Sequence, residues 1–287
     1  MLPLDLFLLR HNESEGNAAL RKYEEWLKLS WFSRLFRPLP FTAEFLNRHN
    51  SHFRLTDKGR AQGLVVGDWL KNWLKEKKLP RFDRHIVSPH TRTLESAALL
   101  DLPDAKWEID FQLHERDIGI WGSIPDKKWQ KRHDKLTRLG QNHPFYTPWP
   151  DGESIKDLCN RLRNPLSALD SDGMNQKRVI VVAHGDVMQA VRVIIEGILP
   201  DEYDERSKAN LRDFRIGNGQ IIHYTRVDPI ASAKPECVLY DRFGWVRSVN
   251  PWCLEYAGHD WRAIEQRRYS NAELLAMAER SSRLINE

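Results

Sequence analysis

Three stretches of the sequence gather the residues best able to hold and transfer a charged group. Arg10-His11-Asn12-Glu13-Ser14-Glu15-Gly16-Asn17 is the first, Ser88-Pro89-His90-Thr91-Arg92-Thr93-Leu94-Glu95 the second and His184-Gly185-Asp186 the third. Arginine presents a planar fork of N–H donors that fits phosphate oxygens, and a neutral imidazole is a competent nucleophile. Arg10, His11, Arg92 and His184 therefore suit an anion site that contains its own nucleophile.

Each stretch directly follows a short apolar run. Leu4–Leu9 and Lys177–Ala183 read as strands buried on both faces, and Arg84–Ser88 as a shorter strand stopped by Pro89. Helices are expected from near Asn17, from an N-cap at Thr56 to about Glu76 with Leu64, Val65, Trp69, Leu70 and Trp73 as its apolar face, from Arg92 to Leu100, from Glu153 to Leu169 after a cap at Asp151, and from Asp186 to about Gly197. Gln220–Thr225 reads as a further strand. This alternation implies βαβ units: an α/β three-layer sandwich with a mainly parallel sheet and helices on both faces. In such a sheet ligands bind beyond the carboxyl ends of the strands, which is where the three stretches fall.

The motifs, taken in order, resemble those of the histidine phosphatase (phosphoglycerate mutase-like) superfamily. The first stretch is similar to Arg-His-Gly-Glu-Ser-x-x-Asn, with Asn12 where the family has glycine. Leu55-Thr56-x-x-Gly59-x-x-Gln62, Ser88-Pro89-x-x-Arg92-Thr93-x-Glu95, Leu113-x-Glu115-x-x-x-Gly119-x-Trp121, Pro150-x-Gly152-Glu153-Ser154, Val182-x-His184-Gly185 and Asn218-Gly219 follow in the family's order. The resemblance covers about Leu4 to Thr225. It implies that His11 is the nucleophile that takes the phosphoryl group, that Arg10, Arg92 and His184 hold the phosphate oxygens with Asn17 as an added contact, and that Glu115 is the proton donor. Phosphoryl transfer asks mainly for positioning and for positive charge around the equatorial oxygens, which two arginines and a histidine supply, so no metal or other cofactor is expected.

Glycine serves where the backbone takes φ > 0 or approaches a ligand closely, and Asn is the residue next most at ease there. Asn12 is thus expected in a left-handed backbone beside the phosphate, lining the substrate pocket with Trp121. Asp186 is a rival acid, or a cap of the helix that follows it. His49 and His52 read as surface residues, and the cysteines Cys159, Cys237 and Cys253 as buried and inert.

Two segments stand outside the α/β rhythm of a single domain: an insertion at about residues 18–55, read as a cap or lid, and an extension at about residues 226–287 with a strand-like run (Val238–Val249) and a helix at about Asn271–Leu284. The insertion contains Trp26, Trp31, Phe32 and Phe36 with Arg34 and Arg37, which would face the substrate's anionic parts; the alternative for this segment is a membrane-surface helix.

The 287 residues are 41% hydrophobic and 29% charged, as in a globular chain, with no apolar run long enough to span a bilayer. The start, apolar but carrying Asp5 and lacking a basic region, does not read as a signal peptide. Forty-four basic against 40 acidic residues give a net charge of +4, too little to imply nucleic-acid binding. Three scattered cysteines fit a reducing cytoplasm. The expected activity is a phosphomonoesterase acting on a small phosphorylated compound or a phosphoprotein. The alternatives are a phosphoglycerate mutase-type phosphotransferase and a non-catalytic phospho-ligand or protein-binding module. Gly119–Gly122, with Ile118 where the mutases have tyrosine, resembles the phosphatases.

Overall fold

The first apolar run becomes β1 (Asp5–Arg10), the middle strand of a seven-stranded sheet. The computed structural model describes residues 1–30, 42–119, 143–149, 151–170, 173–209, 214–230, 240–253 and 260–280. The other strands are β2 (Arg84–Val87), β3 (Trp107–Ile109), β4 (Arg178–Ala183), β5 (Ile221–Thr225), β6 (Trp245–Val249) and β7 (Arg262–Ala263), in the order β3-β2-β4-β1-β5-β6-β7. β1, β2, β3 and β4 pair in parallel, with Leu8 opposite Val181 and Ile86 opposite Val181 on the other side. β5 pairs antiparallel with β1, β6 with β5, and β7 with β6.

Alternate residues of β1 and β4 point to opposite faces, and both faces are covered. On one, Leu6, Leu8, Val179 and Val181 pack against Leu158 and Leu162 of α5 (Ile155–Ala168) and Met188 and Val191 of α6 (Gly185–Glu196). On the other, Phe7, Leu9, Ile180 and Val182 pack against Val66, Leu70 and Trp73 of α3 (Asp57–Glu76) and Ala97 of α4 (Thr91–Leu99). This is the expected three-layer sandwich. The shorter helices are α1 (Glu15–Leu27), α2 (Ala43–Asn47), α7 (Pro200–Lys208) and α8 (Asn271–Ala278).

Several sequence expectations change. The α3 helix starts at its expected Thr56 cap, but Leu64 and Val65 are exposed. Its packed face is instead Gly59, Gln62, Gly63, Val66, Gly67, Leu70 and Trp73. Glycines at this spacing leave no side chain, so neighbours come close: a Cβ on Gly67 would stand 2.4 Å from the carbonyl oxygen of Leu100. α5 is capped by Ser154, whose hydroxyl and backbone N–H bond with Asp157, and not by Asp151, which has φ +60° in the turn before it. Asp186 is not a cap; His184 occupies the N-cap position of α6. β3 and α7 were not foreseen. The extension is not outside the sheet: its strand β6 continues the sheet beyond β5, while Val238 and Leu239, like residues 281–287, lie outside the described residues.

A fully buried Arg226 ties this part together. It donates to the carbonyls of Leu2 (2.8 Å) and Tyr240 (2.6 Å) and to Asn175 Oδ1 (2.6 Å), so one guanidinium holds the N-terminus, the turn before β4 and the start of the extension. No helix among the described residues is long and apolar enough to cross a membrane.

Candidate active site

The three stretches converge at the carboxyl ends of β1, β2 and β4, and each leads into a helix. Ser14 caps α1, His90 stands at the N-cap of α4 and His184 at that of α6. The positive ends of three helices thus open near one spot, a favourable place for an anion.

Arg92 is the centre of the cluster. Its Nε donates to His11 Nε2 at 3.2 Å and its terminal nitrogens lie 3.2 Å from His184 Nδ1 and 2.7 Å from the carbonyl oxygen of Asn50, which accepts. Arginine can only donate. The ring nitrogens facing it must therefore carry lone pairs, which fixes both tautomers. His11 donates from Nδ1 to its neighbour's carbonyl oxygen, Asn12 O, at 2.7 Å, and His184 donates from Nε2 to Ser88 Oγ at 2.7 Å. Both imidazoles are almost wholly buried, and their ring centres lie 5.3 Å apart. Burial first, then the Arg92 and Arg10 guanidinium groups, hold His11 well below its ordinary range; burial and Arg92 do the same to His184. Each is neutral at pH 7. Arg10 donates to the carbonyl of Ile216, while its buried Nε has no partner among the described residues.

Glu115 reaches the site from beyond β3, the strand the sequence did not reveal. Its Oε2 lies 3.6 Å from His184 Nδ1, and its Oε1 accepts from the backbone N–H of Arg116 at 3.0 Å. Burial, and after it the nearby Asp186 carboxylate, push Glu115 up to about 7. Asp186 itself pairs with Arg116 at 2.7 Å. The Gly152–Ser154 part of the fifth motif braces this loop. Glu153 accepts from the N–H of Asp117 at 3.0 Å and receives a two-pronged ion pair from Arg161, which also donates to the carbonyl of His114.

The Leu55–Gln62 motif does the same for the first stretch. Gln62 accepts from the N–H of Glu13 at 2.8 Å, the Thr56 hydroxyl donates to the Glu13 carboxylate at 3.0 Å, and a Cβ on Gly59 would stand 2.0 Å from the carbonyl oxygen of Glu13. Glu95 holds Arg54 and the N–H of Leu55. Asn17 closes a capping box with Ser14. Its Oδ1 also accepts from Asn218 Nδ2 at 3.0 Å, which leaves the Asn17 amide N–H groups as the end that could meet a ligand.

Asn12 departs from expectation. Its φ is not positive, and the residue is fully buried. Its side chain lies in a slot bounded by glycines: a Cβ on Gly63 would stand 3.0 Å from Asn12 Nδ2, and one on Gly219 would stand 3.0 Å from Asn12 Oδ1. It therefore lines the scaffold beneath the site and not a substrate pocket. Neither carboxamide atom has a hydrogen-bond partner among the described residues, whereas the Asn12 backbone N–H donates to Ser96 Oγ at 3.0 Å. Arg34, Arg37 and Trp121 lie outside the described residues. His49 and His52 are exposed, as expected. Cys159 is buried and its thiol is pushed up to about 11; Cys253 is half-buried. Sequence reasoning missed Ser88, Ser96, Asn50 and Arg161 as supports, although Ser88 stands inside a quoted motif.

The sequence profile of the histidine phosphatase superfamily (branch 1) matches residues 44–221, more than half of the chain. The chain belongs to this superfamily and is an enzyme of the phosphatase class. The matched region begins beyond His11, within the returning part of the insertion. A 2,3-bisphosphoglycerate-dependent phosphoglycerate mutase of Methylobacterium sp. (strain 4-46) is 31% identical over 155 residues, which is 50% of this chain and 69% of the mutase. A 6-phosphofructo-2-kinase/fructose-2,6-bisphosphatase of Gallus gallus is 29% identical over 138 residues, 48% of this chain but 27% of that larger protein. Among solved structures, the alpha-ribazole phosphatase of Shigella flexneri superposes with a TM-score of 0.54 at 16% identity, over 84% of this chain and 98% of that one.

Proposed function

We propose that this chain hydrolyses a phosphate monoester through a phosphohistidine formed on His11 Nε2. The observation that carries the reading is the Arg92 fork, which meets His11 Nε2 and His184 Nδ1 at 3.2 Å each and so leaves both nitrogens unprotonated. Arg92 and Arg10 take the phosphoryl oxygens when substrate arrives, and the freed lone pair of His11 attacks phosphorus in line with the leaving oxygen. The Nδ1–H bond to Asn12 O keeps the ring oriented and stabilises the charge that develops on it. Glu115, held partly protonated, gives its proton to the leaving alkoxide, and as a carboxylate then takes one from the water that cleaves the phosphohistidine. No step needs a metal. The return of the insertion, whose Asn50 carbonyl holds Arg92, forms one wall of the site and so acts as part of a cap.

Acid-labile phosphate trapped on His11 after rapid quench supports this reading, and its absence during turnover refutes it. A second reading, a mutase that returns the phosphoryl group to its substrate, is favoured by the similarity to the Methylobacterium mutase. Isomerisation of a phosphoglycerate that depends on added bisphosphoglycerate would replace hydrolysis with transfer. The substrate class is a small phosphorylated compound or a phosphoprotein. A screen of phosphorylated metabolites and phosphopeptides separates these two.

A further inference from the structure

We propose that His11 Nε2, His184 Nδ1 and Glu115 Oε2 form a binding site for a divalent transition metal such as zinc, that the metal shuts the site by taking the place of the phosphoryl group, and that Arg92 sets its affinity. These three ligand atoms lie within 4.8 Å of one another, and they are the one such trio of histidine, cysteine or carboxylate groups found among the described residues. Two imidazoles and a carboxylate with an open fourth position make a familiar donor set for zinc.

The supporting bonds are already in place. A metal-binding histidine usually gives its other ring N–H to a carbonyl, hydroxyl or carboxylate, which fixes the tautomer and aims the free nitrogen. His11 does this to Asn12 O at 2.7 Å and His184 to Ser88 Oγ at 2.7 Å. The lone pairs then converge on the space occupied by the Arg92 guanidinium, 3.2 Å from each. Ligands at about 2.0–2.2 Å from zinc are roughly 3.5 Å apart in a tetrahedron. A contraction of about an ångström is therefore needed, together with displacement of Arg92. The nearby positive charge of Arg10 and Arg92 opposes the metal. Arg92 thus serves two purposes: it binds the phosphoryl oxygens and it keeps metal affinity low. The inference extends the reading of this site as the phosphoryl-transfer centre, but its test uses a signal independent of turnover.

Cobalt(II) serves as the spectroscopic probe, titrated into the full-length protein at neutral pH. Arg92→Ala is expected to bind one cobalt at least about tenfold tighter than the wild type, with the visible absorption of a four- or five-coordinate nitrogen and oxygen site. Adding His184→Ala to Arg92→Ala should abolish that band while the circular dichroism stays native. Zinc should inhibit wild-type turnover competitively with vanadate, and EDTA should restore it. A folded Arg92→Ala that gains no cobalt affinity, or a cobalt band that survives His184→Ala, overturns the proposal. Should the chain prove to be a non-catalytic binder, the cobalt titration still decides the metal question.

Discussion

Glu115 Oε2 stands 3.6 Å from His184 Nδ1, on the side of the site facing Asp186. In the proposed reaction the carboxyl stands beside the phosphoryl group, and it shares its surroundings with another negative charge, which favours its protonated form. Its pKa, raised to about 7, sets the sign of the pH effect: the donor is present below pH 7 and is lost as pH rises through it. The kcat/KM for an alkyl phosphate should fall above about pH 7, and Asp186→Asn should move that fall to lower pH. Glu115→Gln should lower kcat/KM, which reports the transfer step and not the later hydrolysis of phosphohistidine, by about 10²–10³ on an alkyl phosphate and under about tenfold on p-nitrophenyl phosphate, whose leaving group needs no proton. Equal losses on the two esters would rule out proton donation by Glu115.

His11→Ala should lower turnover at least about a thousandfold, since in the proposed reaction His11 Nε2 is the atom that forms the bond to phosphorus. Phosphate or vanadate binding should persist, because Arg10 and Arg92 remain. Residual activity within tenfold of wild type would sink the covalent route.

The Asn12 carboxamide is buried, without hydrogen-bond partners among the described residues, in a slot between Gly63 and Gly219. An unpaired buried polar group costs about 1–3 kcal/mol, and truncating it leaves only a small cavity. Asn12→Ala should therefore change stability by no more than about 1 kcal/mol and kcat by less than about threefold. Asn12→Leu, too large for a slot walled by glycines, should lose about 1–3 kcal/mol. Urea titration of the three proteins checks this. Loss of turnover in a stable Asn12→Ala would reveal a chemical role for the side chain.

A buried pair far from the site governs acid stability. His223 Nε2 donates to Asp5 Oδ1 at 2.9 Å, and Arg247 donates to His223 Nδ1 at 3.2 Å. With both ring nitrogens so used, His223 is neutral, and burial brings it down to about 4 in spite of Asp5. The unfolded chain takes up this proton near the ordinary histidine value of about 6.5. Stability is thus lost as pH falls from about 6.5 to 4, and His11, His90 and His184, all held low, add to the slope. His223→Gln should reduce the pH dependence of unfolding free energy in that window by about one proton. An unchanged slope would place the titration elsewhere.

Leucine-rich β1 and valine-rich β4 were legible because both faces are apolar and Arg10, His11 and His184 follow them directly. The Thr56 cap was legible because a threonine hydroxyl at a helix start has one main use. The packed face of α3 was not, because glycine carries no hydrophobic signal and yet permits the close approach. β3 escaped because Trp107–Ile109 is a short edge strand with two of its three residues exposed. The orientation of Asn12 escaped because family glycine suggested backbone freedom, whereas the space beside Gly63 and Gly219 could be filled by a side chain.

Ser14 and Leu55 pair as an antiparallel bridge, flanked by Glu15 N–H to Arg54 O at 2.8 Å and Thr56 N–H to Glu13 O at 3.0 Å. The forty residues between them are clasped at their two ends, and among the described ones Asn17, which meets Asn218, and Asn50, whose carbonyl holds Arg92, also touch the scaffold. Closing a longer or shorter loop on fixed ends changes its entropy cost only logarithmically. The segment is thus an exchangeable cassette. Lineages or engineers can lengthen, shorten or replace most of it, keeping Asn17 at its base and the Asn50 carbonyl on Arg92, and so alter what is admitted to the site without relocating His11.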